Sequence, residues 1–348
     1  METMTLKELY EDYKSKNPKA RIRTVADALG VSELELLEIS PVKELTYLGD
    51  NFKGILQDMH ELGEVMALTR NEHAVHETKG VYGNVSFMEK APMGLAHNDI
   101  IDLRYFMTNW AHAYAVVFES GKRVMHSIQI FDKYGDAVHK IYAIKGTDLE
   151  AYDTLVKRYR VFTPRDKESI ALKVEKQVKE ETTVDLDVEA FQKEWLEMKD
   201  PHDFFGMLRK YKLSRQQAFR NAPVGTTYQV EKNSIVHMLE AVAENETPIM
   251  VFLGNGACLQ IYSGEVKKLV DMNGWYNVLD NKFNLHLKLD SIHEAWVVKK
   301  YTSDGIVTSL ELFDKAGKQI LYCFGKRKPG IPELEAWRTV VAQLPQLN

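Results

Sequence analysis

Few residues in this chain are spaced for chemistry, and the most suggestive is a histidine. In Asp200-Pro201-His202-Asp203-Phe204-Phe205, Asp200 suits a helix N-cap and Pro201 the first helical position. His202 then falls in the first turn, off the apolar stripe carried by Phe204, Phe205 and Leu208. A neutral imidazole there can reach a ligand or a metal without leaving a core; a merely solvated histidine is the plainer reading. Arg104, in Asp102-Leu103-Arg104-Tyr105-Phe106, alternates with apolar residues on an expected strand. Such an arginine is ordinarily exposed or ion-paired; facing an interdomain cleft, it could hold an anion, a water on a metal or an oxygen ligand. His73 and His76 stand three apart, so a strand points them to opposite sides and they make a poor chelating pair. Arg215, Lys299, Lys300 and the run Gly325-Lys326-Arg327-Lys328 supply cations that are solvated by default but together could receive carboxylates. HExxH, CxxC and Walker patterns are absent, and Gly254-Asn255-Gly256 is a turn without the context of a nucleotide loop.

The elements that must position these residues come twice. Ser127-Ile-Gln-Ile-Phe-Asp132-Lys-Tyr-Gly135 returns as Ser309-Leu-Glu-Leu-Phe-Asp314-Lys-Ala-Gly317, and Leu29-Gly-Val-Ser32 aligns with Tyr211-Lys-Leu-Ser214 at the same offset of 182. Val65 to Asn71 matches Ile249 to Asn255, and His112-Ala-Tyr-Ala matches His293-Glu-Ala-Trp. So long a period is a duplicated domain, not a solenoid. Each copy reads as helices, then Val-, Tyr-, Phe- and Ile-rich strands with Gly, Asn and Lys turns, then a helix. That is an α+β pattern rather than alternating βαβ. Ser32 with Glu35 predicts a capping box, and residues 124–141 predict a hairpin turning at Asp132 to Gly135. We expect a first repeat over 1–162, a charged connection over 163–187 holding a short exposed strand or helix, and a second repeat over 188–348. His202 has Ala20 as its counterpart at this offset, and Arg104 falls opposite His286.

At 348 residues, 45% hydrophobic and 27% charged, the chain can bury a core in each repeat. A net charge of −5 gives no basic field for nucleic acid and no polybasic run for anionic lipid. The N-terminal stretch is charged and amphipathic, unlike a signal peptide, and no run reaches membrane-span length. The expectation is a soluble cytoplasmic protein that binds no nucleic acid and is not membrane-embedded. Cys258 and Cys323 sit in apolar runs and read as buried structural thiols.

The ordered set of Asp200-Pro-His-Asp-Phe-Phe205, Leu213-Ser-Arg-Gln-Gln-Ala-Phe-Arg220, Asp102-Leu-Arg104, Trp296-Val-Val-Lys-Lys300, Ser303 to Asp314 and Phe324 to Gly330 resembles the haemin-degrading or haemin-transport factors of the HemS/ChuS type. The resemblance spans essentially the whole chain. It implies two similar halves, each a large antiparallel sheet flanked by helices, with one haem in the cleft between them. It also implies His202 as proximal ligand, Arg104 as distal residue, and Arg215 and Lys300 near the propionates. His73 matches a position considered for a second haem. The implied activity is oxidative opening of the ring and release of iron, with haem b as substrate and cofactor and an external electron donor. The alternative is a non-catalytic chaperone or store that passes haem to a separate haem oxygenase. Expected partners are haem and either an inner-membrane haem importer or a haem oxygenase. Haem iron accepts a neutral histidine nitrogen, and the distal side decides what oxygen does there.

Overall fold

The computed structural model describes residues 4–166, 170–171, 186–328 and 330–347. Most of the connection expected over 163–187, with its short strand or helix, lies outside the described residues. Two compact units emerge. Unit 1 comprises Met1–Thr69, Glu77–Val174 and Asn255–Leu259, and unit 2 comprises Arg70–His76, Glu175–Gly254 and Gln260–Asn348.

Unit 1 opens with α1 (Leu6–Lys16), α2 (Ile22–Leu29) and α3 (Glu33–Ile39), followed by β1 (Glu44–Gly49) and α4 (Phe52–Asp58). Next come β2 (Gly63–Arg70), β3 (Ala74–Val81), β4 (Ser86–Phe87), β5 (Met93–His97) and β6 (Asp102–Phe106). The long strands β7 (Trp110–Ser120), β8 (Arg123–Asp132) and β9 (Ala137–Thr147) lead into α5 (Leu149–Tyr159). Its strands run in the order β1-β7-β8-β9-β2, every neighbour antiparallel, and β4-β5-β6 form a second antiparallel run.

Unit 2 repeats this with α6 (Val188–Leu196), α7 (Asp203–Tyr211), α8 (Arg215–Arg220), β10 (Thr227–Val230) and α9 (Ser234–Glu244). Then follow β11 (Ile249–Gly254), β12 (Cys258–Gly264), β13 (Leu269–Met272), β14 (Trp275–Leu279) and β15 (Phe283–Lys288). The chain ends with β16 (Glu294–Thr302), β17 (Gly305–Phe313), β18 (Gln319–Gly325) and α10 (Glu335–Ala342). The order β10-β16-β17-β18-β11 matches unit 1 strand for strand, and β13-β14-β15 answers β4-β5-β6. The α+β class and the duplication therefore hold in topology as well as in sequence.

The repeated motif shows why. At the β8–β9 turn, Asp132 Oδ1 accepts from Tyr134 N and Asp136 N; at β17–β18, Asp314 Oδ1 accepts from Ala316 N and Lys318 N. Gly135 and Gly317 follow with φ of 75° and 72°, a conformation that glycine adopts without the penalty a Cβ carries. Capping boxes recur too, at Ser32 with Glu35 and at Ser214 with Gln217.

Of most consequence for the site is the aromatic cluster beneath α6, α7 and α8. Phe204 stacks on Phe219 at 5.9 Å between ring centroids and meets Trp195 edge-on at 5.2 Å. Phe191, Met207, Trp296 and Phe313 complete a buried layer. Burying a side chain of this size stabilises by about 1.5–3 kcal/mol. Phe204 thus pins the first turn of α7 to the sheet, and the residues just before it are left outside.

Candidate functional site

His202 is the N-cap of α7, not a residue of its first turn, because the helix starts at Asp203, two residues later than the expected start at Pro201. The preceding Asp200 does not cap the helix with its side chain; it folds the Asp-Pro-His segment into a tight turn. Asp200 Oδ1 accepts from the His202 backbone N–H at 2.8 Å and also faces the ring Nδ1 at 2.6 Å. Both groups, and the backbone N–H foremost, hold the Asp200 carboxyl below its usual range. The His202 side chain is 88% exposed, and its Nε2 has no partner among the described residues. One turn on, Phe205 N bonds the His202 carbonyl, and the Phe205 ring remains 51% exposed. The start of α7 thus carries a half-open aromatic platform three residues after an exposed imidazole.

Arg215, at the first position of α8, borders that platform. Its guanidinium carbon lies 5.5 Å from the Phe205 ring centroid and 5.2 Å from that of Phe204. Nε and Nη2 both donate to Glu311 Oε2, at 3.0 and 2.8 Å. Lys300 Nζ reaches Glu311 Oε1 at 3.0 Å and sits 4.7 Å from the Phe204 centroid. Ser309 Oγ and Gln319 Nε2 supply two further bonds to the same carboxylate. Burial alone would raise the Glu311 pKa, but the Arg215 and Lys300 charges hold it down at about 2. Arg215 and Lys300 do receive a carboxylate together, and it is the protein's own. Lys300 is 3% exposed and turned inward. Arg215 keeps Nη1 without a hydrogen bond among the described residues. Glu311 was missed in the sequence because Ser-Leu-Glu-Leu-Phe reads as ordinary alternation. Its counterpart Gln129, also buried, was the available signal.

Arg104 lies on β6 in unit 1, paired in register with Leu95. Its Nη1 donates to Asp102 Oδ1 and to the Leu103 carbonyl, and Asp102 also contacts His97 at 3.3 Å. Its side chain is about one-third exposed. In unit 2 the same register position is His286, opposite Asn277. The Asn277 Oδ1 can only accept, so the 2.6 Å contact is a donation from His286 Nδ1.

His73 precedes β3 and His76 lies on it, so the two do not share the strand that their spacing suggests. His76 is fully buried, and burial pushes its pKa down to about 3. His73 is partly open, with Nε2 3.1 Å from Asp314 Oδ2 and 3.9 Å from Glu72. In unit 1 the buried His139 lies between the hydroxyls of Tyr82 (2.6 Å) and Thr69 (3.0 Å), and its pKa is likewise pushed down to about 3. Both cysteines are free and buried, and burial raises Cys258 to about 12, so neither offers a thiolate.

Comparison with known proteins agrees with the duplicated fold. The model of the haemin-degrading HemS/ChuX domain matches residues 30–159 and 212–344, one match in each repeat. Hemin transport protein HmuS of Yersinia pestis is 38% identical over 344 residues, covering 97% of each chain. Holo-PhuS, a heme-binding protein from Pseudomonas aeruginosa, superposes with a TM-score of 0.89 at 37% identity, over 99% of this chain and 100% of that one. The Escherichia coli O157:H7 heme degrading enzyme ChuS gives 0.88 at 34% identity, over 97% and 99%. With both repeats matched by the family model and relatives aligned from end to end, the chain belongs to the haemin-degrading HemS/ChuX domain family.

Proposed function

We propose that this chain binds one haem through His202 and opens the ring oxidatively, releasing iron. The observation that carries the reading is the exposed Nε2 of His202, held from behind by Asp200, with the half-open Phe205 three residues on and in contact with the Arg215 cation. Those residues fit the group: a neutral nitrogen for iron, an aromatic face for the macrocycle and a guanidinium for a propionate. Bound haem supplies both the redox-active iron and the carbon framework that is cut, and an external donor supplies electrons.

The protein's part is positional. His202 holds the substrate by its metal. Arg215 offers Nη1 to a carboxylate while Glu311 fixes the other side of its fork. The inward turn of Lys300 gives it a supporting part in this reading, as the second counter-charge to Glu311 rather than a contact for the propionate. Arg104 is assigned the distal role, a permanent cation able to orient an oxygen ligand or a water. Cytoplasmic location and dealings with an inner-membrane importer belong to the same proposal.

A second reading has specific support, because the relatives divide: PhuS is described as heme-binding and ChuS as heme degrading. A chaperone would use the same axial histidine. Haem-loaded protein given reductant and oxygen, with catalase present to remove stray peroxide, separates the two. The enzyme reading predicts a defined ring-opened product, formed about 10-fold or more slowly by Arg104→Ala at unchanged haem affinity. Intact haem recovered after many equivalents of reductant, with transfer to an added oxygenase, would establish the chaperone instead.

A further inference from the structure

The turn Asp200-Pro201-His202 is built more tightly than a surface histidine requires. Asp200 Oδ1 is shared between the His202 backbone N–H and the His202 ring. The turn is itself clamped to the helix that follows: Asp203 Oδ2 accepts from Asp200 N at 3.0 Å and from Lys199 N at 3.3 Å, and Asp203 N donates to the Asp200 carbonyl at 3.0 Å. Pro201 removes backbone freedom in the middle.

The duplicated half shows that the helix does not need this device. Pro18-Lys19-Ala20 stand where Asp200-Pro201-His202 stand, and α2 still forms, with no side-chain cap at all. The carboxylate and the imidazole therefore occur together in one half and are both missing from the other.

An ionised carboxylate only accepts hydrogen bonds. At 2.6 Å it requires the proton of the neutral imidazole to sit on Nδ1, which leaves the lone pair on Nε2. A histidine ligating a metal commonly donates its other ring nitrogen in this way, which fixes ring orientation and raises ligand basicity. We propose that Asp200 is the positioning residue of the axial ligand: it selects the Nδ1–H tautomer of His202, aims Nε2 outward, and strengthens the imidazole as a donor to haem iron. A stronger donor favours the ferric over the ferrous state, so Asp200 would hold the reduction potential of the bound haem low. The inference rests on the haem reading for its consequences but not for the tautomer, which exists without haem.

The test uses the full chain and three variants, Asp200→Asn, Asp200→Ala and His202→Ala. Asn can still accept from the His202 backbone N–H, so Asp200→Asn keeps the turn and removes the charge. Nitrogen-15 NMR of the haem-free protein, at a pH where the imidazole is neutral, should show His202 as the Nδ1–H tautomer in the wild type. It should drift toward the Nε2–H form ordinary in solvent in Asp200→Asn, and further in Asp200→Ala. In the haem-loaded proteins, Asp200→Asn should weaken haemin binding about 10-fold, lower the iron–histidine stretching frequency of the ferrous form and raise the midpoint potential. A wild-type Nε2–H tautomer, or an Asp200→Asn protein with unchanged tautomer, stretch and potential, overturns the proposal. If His202→Ala abolishes the haemin spectrum while both Asp200 variants are silent, the axial reading stands and the positioning role falls. If His202→Ala leaves the spectrum unchanged, the axial reading fails on its own, and the claim that Asp200 tunes haem iron fails with it.

Discussion

Glu311 is the residue on which the cationic side of the site depends. It is fully buried and accepts from Arg215, Lys300, Ser309 and Gln319. Removing one partner of such a set leaves buried charge uncompensated, at a cost of about 3–5 kcal/mol. Glu311→Gln should therefore lower stability to chemical denaturation by that order and weaken haemin binding through a loosened Arg215, and Arg215→Ala, which leaves the Glu311 charge short of a partner, should lower stability as well as binding. A Glu311→Gln protein as stable as the wild type would show that the network is dispensable. The sign of its pH dependence follows from the depressed pKa. Stabilisation by Glu311 is complete above the ordinary carboxyl value of 4.5 and is lost as pH falls toward about 2. His76 and His139 act in a higher window. Their folded-state pKa values lie near 3, against 6.5 when solvated, so stability is lost as pH falls below about 6.5. Each contributes a slope of roughly 1.4 kcal/mol per pH unit between the two values. Denaturant titrations at pH 7, 6 and 5 check this, and a flat profile would contradict the burial of two neutral imidazoles.

At the scale of the element, α7 divides its aromatics between two tasks. Phe204 is buried under Trp195 and Phe219, while its neighbour Phe205 is half open and in contact with Arg215. Phe204→Ala should cost about 3–5 kcal/mol of stability. Phe205→Ala should change stability by no more than about 0.5 kcal/mol yet weaken haemin binding; thermal melts and haemin titrations of the pair separate the roles. The adjacent phenylalanines were visible in the sequence, but which one faces the core depended on where α7 begins. Reading Asp200 as a helix cap set that start early, and the clasp of Asp200 on the histidine ring, a contact between side chains two residues apart, has no periodic signal. The hairpin turns were legible because an Asp and a Gly at fixed places carry their backbone requirement in the residue type. Lys300 was not, since a lysine on an alternating strand is read as solvated until its buried acid is known.

At the scale of the whole molecule, the duplication was the most legible feature, because strand order and turn chemistry repeat with the sequence. What a linear repeat cannot register is the short exchange in the make-up of the units. Arg70–His76 groups with unit 2, and Asn255–Leu259 with unit 1. Two aligned asparagines anchor these tips. Asn71 Nδ2 donates to the carbonyls of Gly254 and Ile320, and Asn255 Nδ2 to that of Val138, while each Oδ1 caps the backbone that follows. Replacing either with alanine leaves part-buried backbone groups short of partners, at about 1 kcal/mol or more. Asn71→Ala should raise amide exchange chiefly in unit 2 and Asn255→Ala chiefly in unit 1; equal effects in both would contradict this division. The residues diverge on the shared frame: His202 where the other copy has Ala20, Arg104 where the other has His286, Glu311 where the other has Gln129. The central claim is that the first of these differences makes the haem site. Absorbance titration of the wild type and His202→Ala with haemin tests it most directly. The account predicts a saturable one-to-one Soret shift in the wild type that His202→Ala weakens and alters while its thermal melt is unchanged; an identical shift and affinity in both proteins would contradict it.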